Sequence, residues 1–459
     1  MADKVEFIDT TLRDGQQSVW ALGMRTSWML PALQYLDGAG FDSMEFYVPV
    51  VQIKKMIRDL KENPWHWLKL GTSMAKKTVL RLHGHGQGLS HMHKSIDDLL
   101  AQKVIEHGIT VVRTSISPWN DYDEIKDDVL DLQKMGMKVV LNLIYSVSPR
   151  HTDEYFIARA KGAAALKPYR ICLKDVGGLL KPERVRGLIP MILPVINNIP
   201  LELHAHGTNS LALLNVLEAV KAGVRYIHTA VPPLANGTSQ PSIFSVARNL
   251  KELDYQVDVD LSALEAVRDH FTYIAKQENL PISENVEYDE RLYKHQVPGG
   301  MMSTLRHHLK QLGTKHTLDE VLEEVVRVRT DFGYPIMVTP LSQFVGTQAA
   351  MNVATGDRYK VVPDEVLHYA LGHWGKEAIE VMDKEVRAKI LNRPRAKELE
   401  KWNPPNLPLE ELKKQFGQGL TDEELIVRMY VDEEAVKIAR QAPVPQPFFT
   451  PAIEHYKEP

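Results

Sequence analysis

The sequence holds a single cysteine, Cys172, in 459 residues. One thiol excludes an intrachain disulfide framework and any metal site built from several cysteines, and it favours a reducing, cytoplasmic location. Basic residues are not in excess, since 55 Lys and Arg stand against 59 Asp and Glu, a formal net charge of −4. That balance argues against nucleic-acid binding. No apolar run is long enough to span a bilayer, and no apolar stretch near the start predicts a secretory signal.

Eight short β-type segments recur through the first 230 residues and alternate with helix-length amphipathic segments. They occupy residues 5–11, 43–49, 78–84, 110–116, 138–146, 169–177, 201–207 and 226–232. Eight strand–helix units in about 240 residues fit a parallel eight-stranded (β/α)₈ barrel, also called a TIM barrel. An open, doubly wound α/β sheet is the alternative.

The strand pattern stops at about residue 258, and helical periodicity follows. We therefore expect three parts: a barrel over 1–257, a mainly helical domain over 258–441 and a Pro-rich, extended tail over 442–459. Thr317 and Thr421 each precede a run of acidic residues, which predicts a capped helix start at both places.

Asp14, His204 and His206 follow or end predicted strands one and seven. Alternate residues of a strand point to the same side, so the two histidines project together. The carboxyl ends of barrel strands meet at one mouth, where a carboxylate and two imidazoles could bind a divalent metal. The alternative is that the two histidines form a hydrogen-bonded pair in the core.

Lys174 ends the apolar run of predicted strand six. A buried lysine is costly unless it is paired or modified. One interpretation is an ion pair with Asp175 or another carboxylate of the barrel. The other is carbamylation by CO₂, which would convert the amine into an anionic oxygen ligand.

Six motifs appear in the order and spacing of a known family: DTTLRDGQQS (9–18), SPRHT (148–152), LKDVGGLLKPE (173–183), LELHAHGTN (201–209), HQVPGGMMSTL (295–305) and MVTPLSQFVGTQ (337–348). Together they resemble the carboxyltransferase component of biotin-dependent carboxylases, such as pyruvate carboxylase, the oxaloacetate decarboxylase alpha subunit and the pyruvate-binding subunit of transcarboxylase. The likeness covers about residues 4–440. The opening motif alone also occurs in isopropylmalate and homocitrate synthases.

The resemblance implies a metal site. Asp14, His204 and His206 match the metal ligands of the family, and Lys174 matches a lysine that is carbamylated and metal-bound. Zinc is the expected metal, with manganese and cobalt as alternatives.

The resemblance also implies three catalytic roles. Arg13 and Gln17 match residues that line the reaction site, and Arg13 would stabilise an enolate. Thr339 matches a threonine that shuttles a proton between biotin and substrate. In that chemistry carboxybiotin releases CO₂, which the enolate of the acceptor then attacks.

The chain departs from the family at its substrate pocket. Lys54 stands where relatives carry an aspartate, and Leu89 stands near a family tyrosine. Arg81 could replace a family arginine. We therefore expect Lys54, Arg81 and Arg13 to contact the substrate and expect pyruvate to be a poor acceptor, although a shifted loop could rebuild the pyruvate pocket.

A dense group of histidines follows predicted strand three: His83, His85, His91 and His93. It is interpreted either as an exposed, flexible loop or as a second metal site. Glycines 84, 86 and 88 would leave room there for a larger acceptor.

The expected function is a carboxyltransferase or decarboxylase subunit, with a small-molecule acceptor. No Met-Lys-Met biotinylation motif and no ATP-grasp-length region occur, so biotin would come in trans from a carrier protein, with a biotin carboxylase on another chain. A homodimer or larger assembly is expected. The alternatives are a metal-dependent aldol-type lyase or condensing enzyme, such as the relatives of hydroxymethylglutaryl-CoA lyase, and a non-catalytic assembly subunit.

Overall fold

A computed structural model gives the architecture of residues 3–84, 92–114, 119–299, 302, 305 and 317–454. Among these residues, no helix has the length and apolar character needed to cross a membrane.

Eight parallel strands form a closed barrel in the order of the sequence, which confirms the predicted TIM barrel and excludes the open sheet. The strands are β1 (Glu6–Asp9), β2 (Ser43–Tyr47), β3 (Val79–His83), β4 (Val111–Thr114), β5 (Lys138–Ile144), β6 (Arg170–Asp175), β7 (Leu201–Ala205) and β8 (Tyr226–Thr229). Strand β8 pairs with β1 from Glu6↔Tyr226 to Asp9↔Thr229 and so closes the ring.

Helices follow the strands and then continue alone. The α-helices of the barrel half are α1 (Gln16–Trp20), α2 (Thr26–Gly38), α3 (Pro49–Lys55), α4 (Pro64–Met74), α5 (Lys94–Glu106), α6 (Lys126–Lys134), α7 (Asp153–Ala165), α8 (Pro182–Ile192), α9 (Ala212–Lys221), α10 (Ile243–Glu252) and α11 (Leu261–Gln277). Those that follow are α12 (Leu292–His295), α13 (Leu318–Asp331), α14 (Leu341–Thr355), α15 (Asp364–Leu371), α16 (Glu377–Val381), α17 (Lys384–Leu391), α18 (Pro394–Leu399), α19 (Leu409–Phe416), α20 (Asp422–Tyr430), α21 (Glu433–Gln441) and α22 (Pro451–Glu454). Two π-helical turns (Thr11–Gly15 and Met56–Leu60) and a 3₁₀ turn (Leu193–Val195) complete the set.

The interior of the barrel is unusually polar. Apolar strand residues such as Phe7, Leu82 and Leu203 point outwards into the main core between sheet and helices. The alternate positions point inwards, where Val111, Val140 and Cys172 form a small apolar cluster. Charged side chains therefore occupy most of the barrel axis, where branched apolar residues are usual.

A second apolar core joins part of the helical region to the barrel. It spans helices α13 to α18 and includes Trp119 and Ile144, which lie at the carboxyl ends of β4 and β5. The helical unit therefore covers one side of the barrel mouth, which is where function collects in this fold.

Residues of the predicted helical domain over 258–441 contribute to both apolar cores. Helix α11 and helices α19 to α21 bury their apolar residues, Leu412 and Ile426 among them, in the core of the barrel. Their apolar faces match the outer surface of the barrel helices, so only about residues 297–399 share the second core.

The Pro-rich segment 442–450 has no helix or strand and is docked on the barrel. The Phe448 amide donates to the Ser27 carbonyl at 2.9 Å, and Thr450 and Ile453 are wholly buried. Those two buried side chains bind the tail to the barrel despite its proline content.

Candidate active site

Three side chains with metal-binding atoms meet at the carboxyl end of the barrel. Asp14 lies in the π-helical turn directly after β1, His204 lies in β7, and His206 follows it. The Nε2 atoms of the two histidines are 3.1 Å apart, and Asp14 Oδ2 lies 3.9 Å from His204 Nε2 and 3.4 Å from His206 Nε2. All three residues are buried. The structure thus brings together the residues that the sequence grouped.

Hydrogen bonding defines the proton position on His206. Its Nδ1 lies 2.5 Å from the carbonyl oxygen of Thr238. A carbonyl oxygen only accepts, so Nδ1 carries the proton, and in the neutral ring Nε2 offers a lone pair.

Gln240 defines the proton position on His204 in the same way. Its Oε1 accepts from the Ala205 amide at 3.0 Å, which directs its NH₂ group towards the site. That group lies 3.1 Å from His204 Nε2 and 3.3 Å from Asp14 Oδ2, so His204 Nε2 is also an acceptor.

The three convergent acceptors suit a divalent cation. Burial opposes ionisation of Asp14, but the positive charge of Arg13 holds the pKa of its carboxyl below the usual range. Burial lowers the pKa of both His204 and His206, which favours neutral rings. An ionised carboxylate and two neutral imidazoles are the protonation states that bind metals, so the residues present fit a metal of the zinc type.

Lys174 lies beside this group. In the parallel pairing of β6 with β7 it is in register with His204. Burial lowers the pKa of Lys174 to about 7, assisted by the positive charges of Arg113 and Arg13. A neutral amine is the form that reacts with CO₂, so the position suits the predicted carbamylation, and the modification itself stays a prediction.

Arg13 belongs to a buried chain of charges. Its Nη1 forms an ion pair with Asp14 Oδ1 at 2.9 Å, and its Nε donates to Glu45 Oε2 at 2.8 Å. Arg113 donates from Nε to Glu45 Oε1 at 2.5 Å and from Nη1 to Asn142 at 2.9 Å. Burial opposes ionisation of Glu45, but the two arginines hold its pKa well below the usual range. The chain fixes Arg13 beside the metal group.

Arg81 lies deeper in the barrel, and its placement does not support the predicted contact with substrate. Its Nη1 and Nη2 donate to the two carboxylate oxygens of Glu202 at 3.0 and 2.7 Å, and both side chains are wholly buried. This cross-barrel pair sits one inward-facing position below His204 in β7, away from the mouth.

Gln17 and Lys54 occupy different surroundings. Gln17 is half-buried in α1, and its Oε1 is a buried atom with no hydrogen-bond partner among the described residues. Such an acceptor is suited to a ligand. Lys54 lies on the exposed side of α3, where partial burial and the nearby Arg58 lower its pKa.

Thr339 is exposed and precedes helix α14. The residues just before it, Met337 and Val338, belong to the same apolar core as Ile144. Ile144 is in register with Lys174, so the apolar core that holds Met337 and Val338 also includes a residue of the strand next to that of Lys174.

Polar contacts hold the helical unit at this place. Arg329, which is buried, donates to Ser146 Oγ at 3.0 Å and to the Val147 carbonyl at 3.2 Å, just after β5. Arg150 donates to Glu377 at 2.5 Å. Direct bonds thus join the helical unit that bears Thr339 to the barrel.

The histidine group after β3 is divided. His83 is buried at the end of β3, whereas His93 Nδ1 accepts from the Leu407 amide at 2.9 Å before α5. His85, His91 and Leu89, with glycines 86 and 88, lie outside the described residues. Among the described residues, neither His83 nor His93 belongs to a group of side chains that could hold a metal ion.

Sequence reasoning missed four buried residues: Glu45, Arg113, Glu202 and His228. Each is charged or titratable and occupies an inward-facing position of its strand. Side chains of a strand alternate between its two faces, so a charged residue on the inward-facing side of a strand was a signal by which these residues could have been found.

Two protein-family models match the chain. "HMGL-like" covers residues 4–270, and "Conserved carboxylase domain" covers residues 292–445. The barrel and the helical region are thus each recognised.

The names of curated relatives agree with these two family models. One of the subunits of pyruvate carboxylase from Methanocaldococcus jannaschii is 37% identical over 81% of this chain and 66% of its own length. The 2-oxoglutarate carboxylase large subunit of Hydrogenobacter thermophilus is 32% identical over 92% of this chain and 66% of its own length. The methylmalonyl-CoA carboxyltransferase 5S subunit of Propionibacterium freudenreichii subsp. shermanii is 31% identical over 81% and 74%. The chain therefore spans about two thirds of the length of the first two.

Among solved structures, the carboxyl transferase domain of Rhizobium etli pyruvate carboxylase, determined with pyruvate, has a TM-score of 0.85 at 22% identity. The match covers 95% of this chain and 77% of that one. At this identity it supports the fold.

Proposed function

Because the chain belongs to the carboxyltransferase family of biotin-dependent carboxylases, we propose that it moves a carboxyl group between carboxybiotin on a separate carrier and an enolisable acceptor. The observation that carries this proposal is the convergence of Asp14, His204 and His206 beside Lys174, under a helical unit that bears Thr339.

We propose that Asp14, His204, His206 and Lys174 hold one divalent metal. The donor set is suited to zinc, and manganese and cobalt stay alternatives. When bound, such an ion would polarise the carbonyl group of the acceptor.

The side chains of this protein would do the remaining work. Arg13, held by Glu45 and Asp14, presents a fixed cation to the charge of the developing enolate. Gln17 offers its free Oε1 as an acceptor at the same mouth. The Thr339 hydroxyl would receive the proton that the acceptor carbon loses and pass it to the carrier nitrogen that CO₂ has left.

Carbamylation of Lys174 is part of the proposal. A buried amine whose pKa is lowered to about 7, next to proposed metal ligands, is suited to take up CO₂. Carbon NMR after exchange with ¹³C-bicarbonate should show a carbamate resonance that is absent in Lys174→Met. A spectrum without that resonance in the metal-loaded protein would assign Lys174 an unmodified role.

The acceptor is proposed to differ from pyruvate. Lys54 replaces an acid of the resembled family, and Arg81 is engaged by Glu202, so the pocket must be built differently. Pyruvate, 2-oxoglutarate and acyl-CoA esters should be compared with a competent carboxybiotin donor. The proposal expects a higher kcat/KM for a larger or more charged acceptor, and a highest value for pyruvate would contradict it.

Carrier and biotin carboxylase are proposed as separate chains, and a homodimer and a cytoplasmic location also stay predictions. Capture of a biotinylated carrier from native extract would support the arrangement. The lyase alternative is not favoured, because the helical region matches the carboxylase description. Acceptor-dependent loss of carboxybiotin would separate the enzyme from a non-catalytic assembly subunit.

A further inference from the structure

A third histidine, His228, lies deeper in the barrel than the proposed metal ligands and contacts one of them, His204. His228 lies in β8, is wholly buried, and places its Nε2 3.0 Å from Glu202 Oε2. Its other ring nitrogen, Nδ1, lies 3.1 Å from His204 Nδ1. The chain Glu202–His228–His204 therefore runs along the barrel axis and ends at a proposed metal ligand.

The direction of these hydrogen bonds follows from Glu202. Both of its oxygens already accept from the Arg81 guanidinium, so the carboxylate acts as an acceptor. His228 Nε2 must then carry a proton and donate it, which leaves a lone pair on Nδ1 of the neutral ring. His204 Nδ1 must in turn donate to that lone pair, and His204 Nε2 is left without a proton.

Gln240 gives the same result from the opposite side of the ring. In the metal-free protein its NH₂ group donates to the lone pair of His204 Nε2 at 3.1 Å, a contact that a bound cation would replace, and its orientation is fixed by the Ala205 amide. Two independent sets of contacts thus select one tautomer of His204, in which Nε2 faces Asp14 and His206.

We propose that His228, held by Glu202, is a positioning residue that fixes the Nδ1–H tautomer of His204 and directs its Nε2 at the bound cation. The assignment of His204 as a ligand rests on the proposed function above. Partners of this kind orient ligating histidines in other metal sites, and their loss weakens metal affinity by roughly 10- to 100-fold.

A competing interpretation treats Cys172, Glu202 and His228 as a cation site of their own, since their donor atoms also cluster. Two observations disfavour it. Arg81 and Arg170 already bind Glu202, and burial raises the pKa of the Cys172 thiol to about 12. Because Glu202 is already paired with two arginines and the Cys172 thiol keeps its proton, these residues are better suited to a chain of hydrogen bonds than to binding a second metal ion.

The first test needs neither metal nor activity. Metal-free protein labelled with ¹⁵N-histidine is compared by long-range ¹H–¹⁵N NMR, with His204→Asn supplying the assignment. The proposal expects His204 in the Nδ1–H form and His228 in the Nε2–H form. An Nε2–H His204 in the wild-type protein would overturn it, whatever the enzyme catalyses.

The second test measures zinc affinity by competition with a chelator in three variants. His228→Leu removes the acceptor and should bind zinc roughly 10- to 100-fold more weakly. His228→Asn keeps an acceptor at the Nδ1 position and should retain most of the affinity. His270→Asn is the matched control, because His270 is equally buried and bonded at both nitrogens but lies outside the site.

The outcomes separate the two proposals. Unchanged affinity in folded His228→Leu, or an equal loss in both His228 variants, would overturn the positioning role. If His228→Leu does not fold, His228→Asn and the tautomer assignment decide. A wild-type protein that binds no zinc would contradict the proposed metal site, and the NMR test would still decide the role of His228.

Discussion

Glu45 joins Arg13 to Arg113 across the inside of the barrel. One carboxylate oxygen accepts from Arg13 Nε at 2.8 Å and the other from Arg113 Nε at 2.5 Å, and all three side chains are buried. Since β2 and β4 are not neighbours in the sheet, this carboxylate links elements that backbone pairing does not. It also holds Arg13 in contact with Asp14.

Replacing Glu45 with glutamine should therefore destabilise the protein strongly. Two buried guanidinium groups would lose their shared counter-charge, and removing one partner of such a pair costs about 3–5 kcal/mol. Urea unfolding at neutral pH measures the change. The control is Asp364→Asn, which breaks an exposed pair with Arg395 and should change the free energy of unfolding far less. Similar small losses in both variants would contradict this account of Glu45.

Thr339→Ala should fold normally, retain its metal and lose carboxyl transfer. The side chain is exposed, so the free energy of unfolding should change by no more than about 0.5 kcal/mol. The missing hydroxyl removes the proposed proton carrier, a loss of roughly 10²-fold or more in kcat. Thr330→Ala, an exposed threonine in α13, is the matched control. Near-normal turnover of Thr339→Ala with normal metal content would rule out the shuttle.

His270 should make the docked tail sensitive to acid. It donates from Nε2 to the Trp28 carbonyl and accepts at Nδ1 from the Thr450 hydroxyl, and burial lowers its pKa to about 4. The unfolded chain takes up a proton near pH 6.5, where the folded one does not. Stability from this group is thus present above that pH and falls as the pH drops towards 4.

The size of this effect can be measured by difference. Between pH 7.5 and pH 5, the wild-type protein should lose about 2 kcal/mol more of its free energy of unfolding than His270→Asn does. Parallel pH dependences of the two proteins would show that His270 titrates equally in the folded and unfolded states.

The sequence predicted the barrel because strand and helix periodicities alternate eight times, and it grouped Asp14 with His204 and His206 because strand ends share one mouth. The capped helix starts at Thr317 and Thr421 were also visible locally, and both form capping boxes with a glutamate three residues later. The strand and helix periodicities and the capping boxes depend on spacing within a short segment, and the grouping of Asp14 with the two histidines follows from the fold that those periodicities predict.

The ion pairs that cross the barrel could not be predicted from spacing in the sequence. Arg81 binds Glu202 from β3 to β7, and that contact depends on the stagger of all the intervening strands. Arg81 was assigned to substrate because it could replace an arginine of the resembled family, and that likeness does not reveal its pairing with Glu202. The docking of Thr450 against His270 likewise joins residues 180 positions apart.

Metal analysis of the purified protein tests the central claim most directly. Wild-type protein should contain about one equivalent of divalent metal per chain, and the Asp14→Ala, His204→Ala double variant should contain almost none. Cys172→Ala, which alters the other buried cluster of potential ligands, should keep its metal. Unchanged metal content in the folded double variant would contradict the assignment of Asp14, His204 and His206 as the metal site.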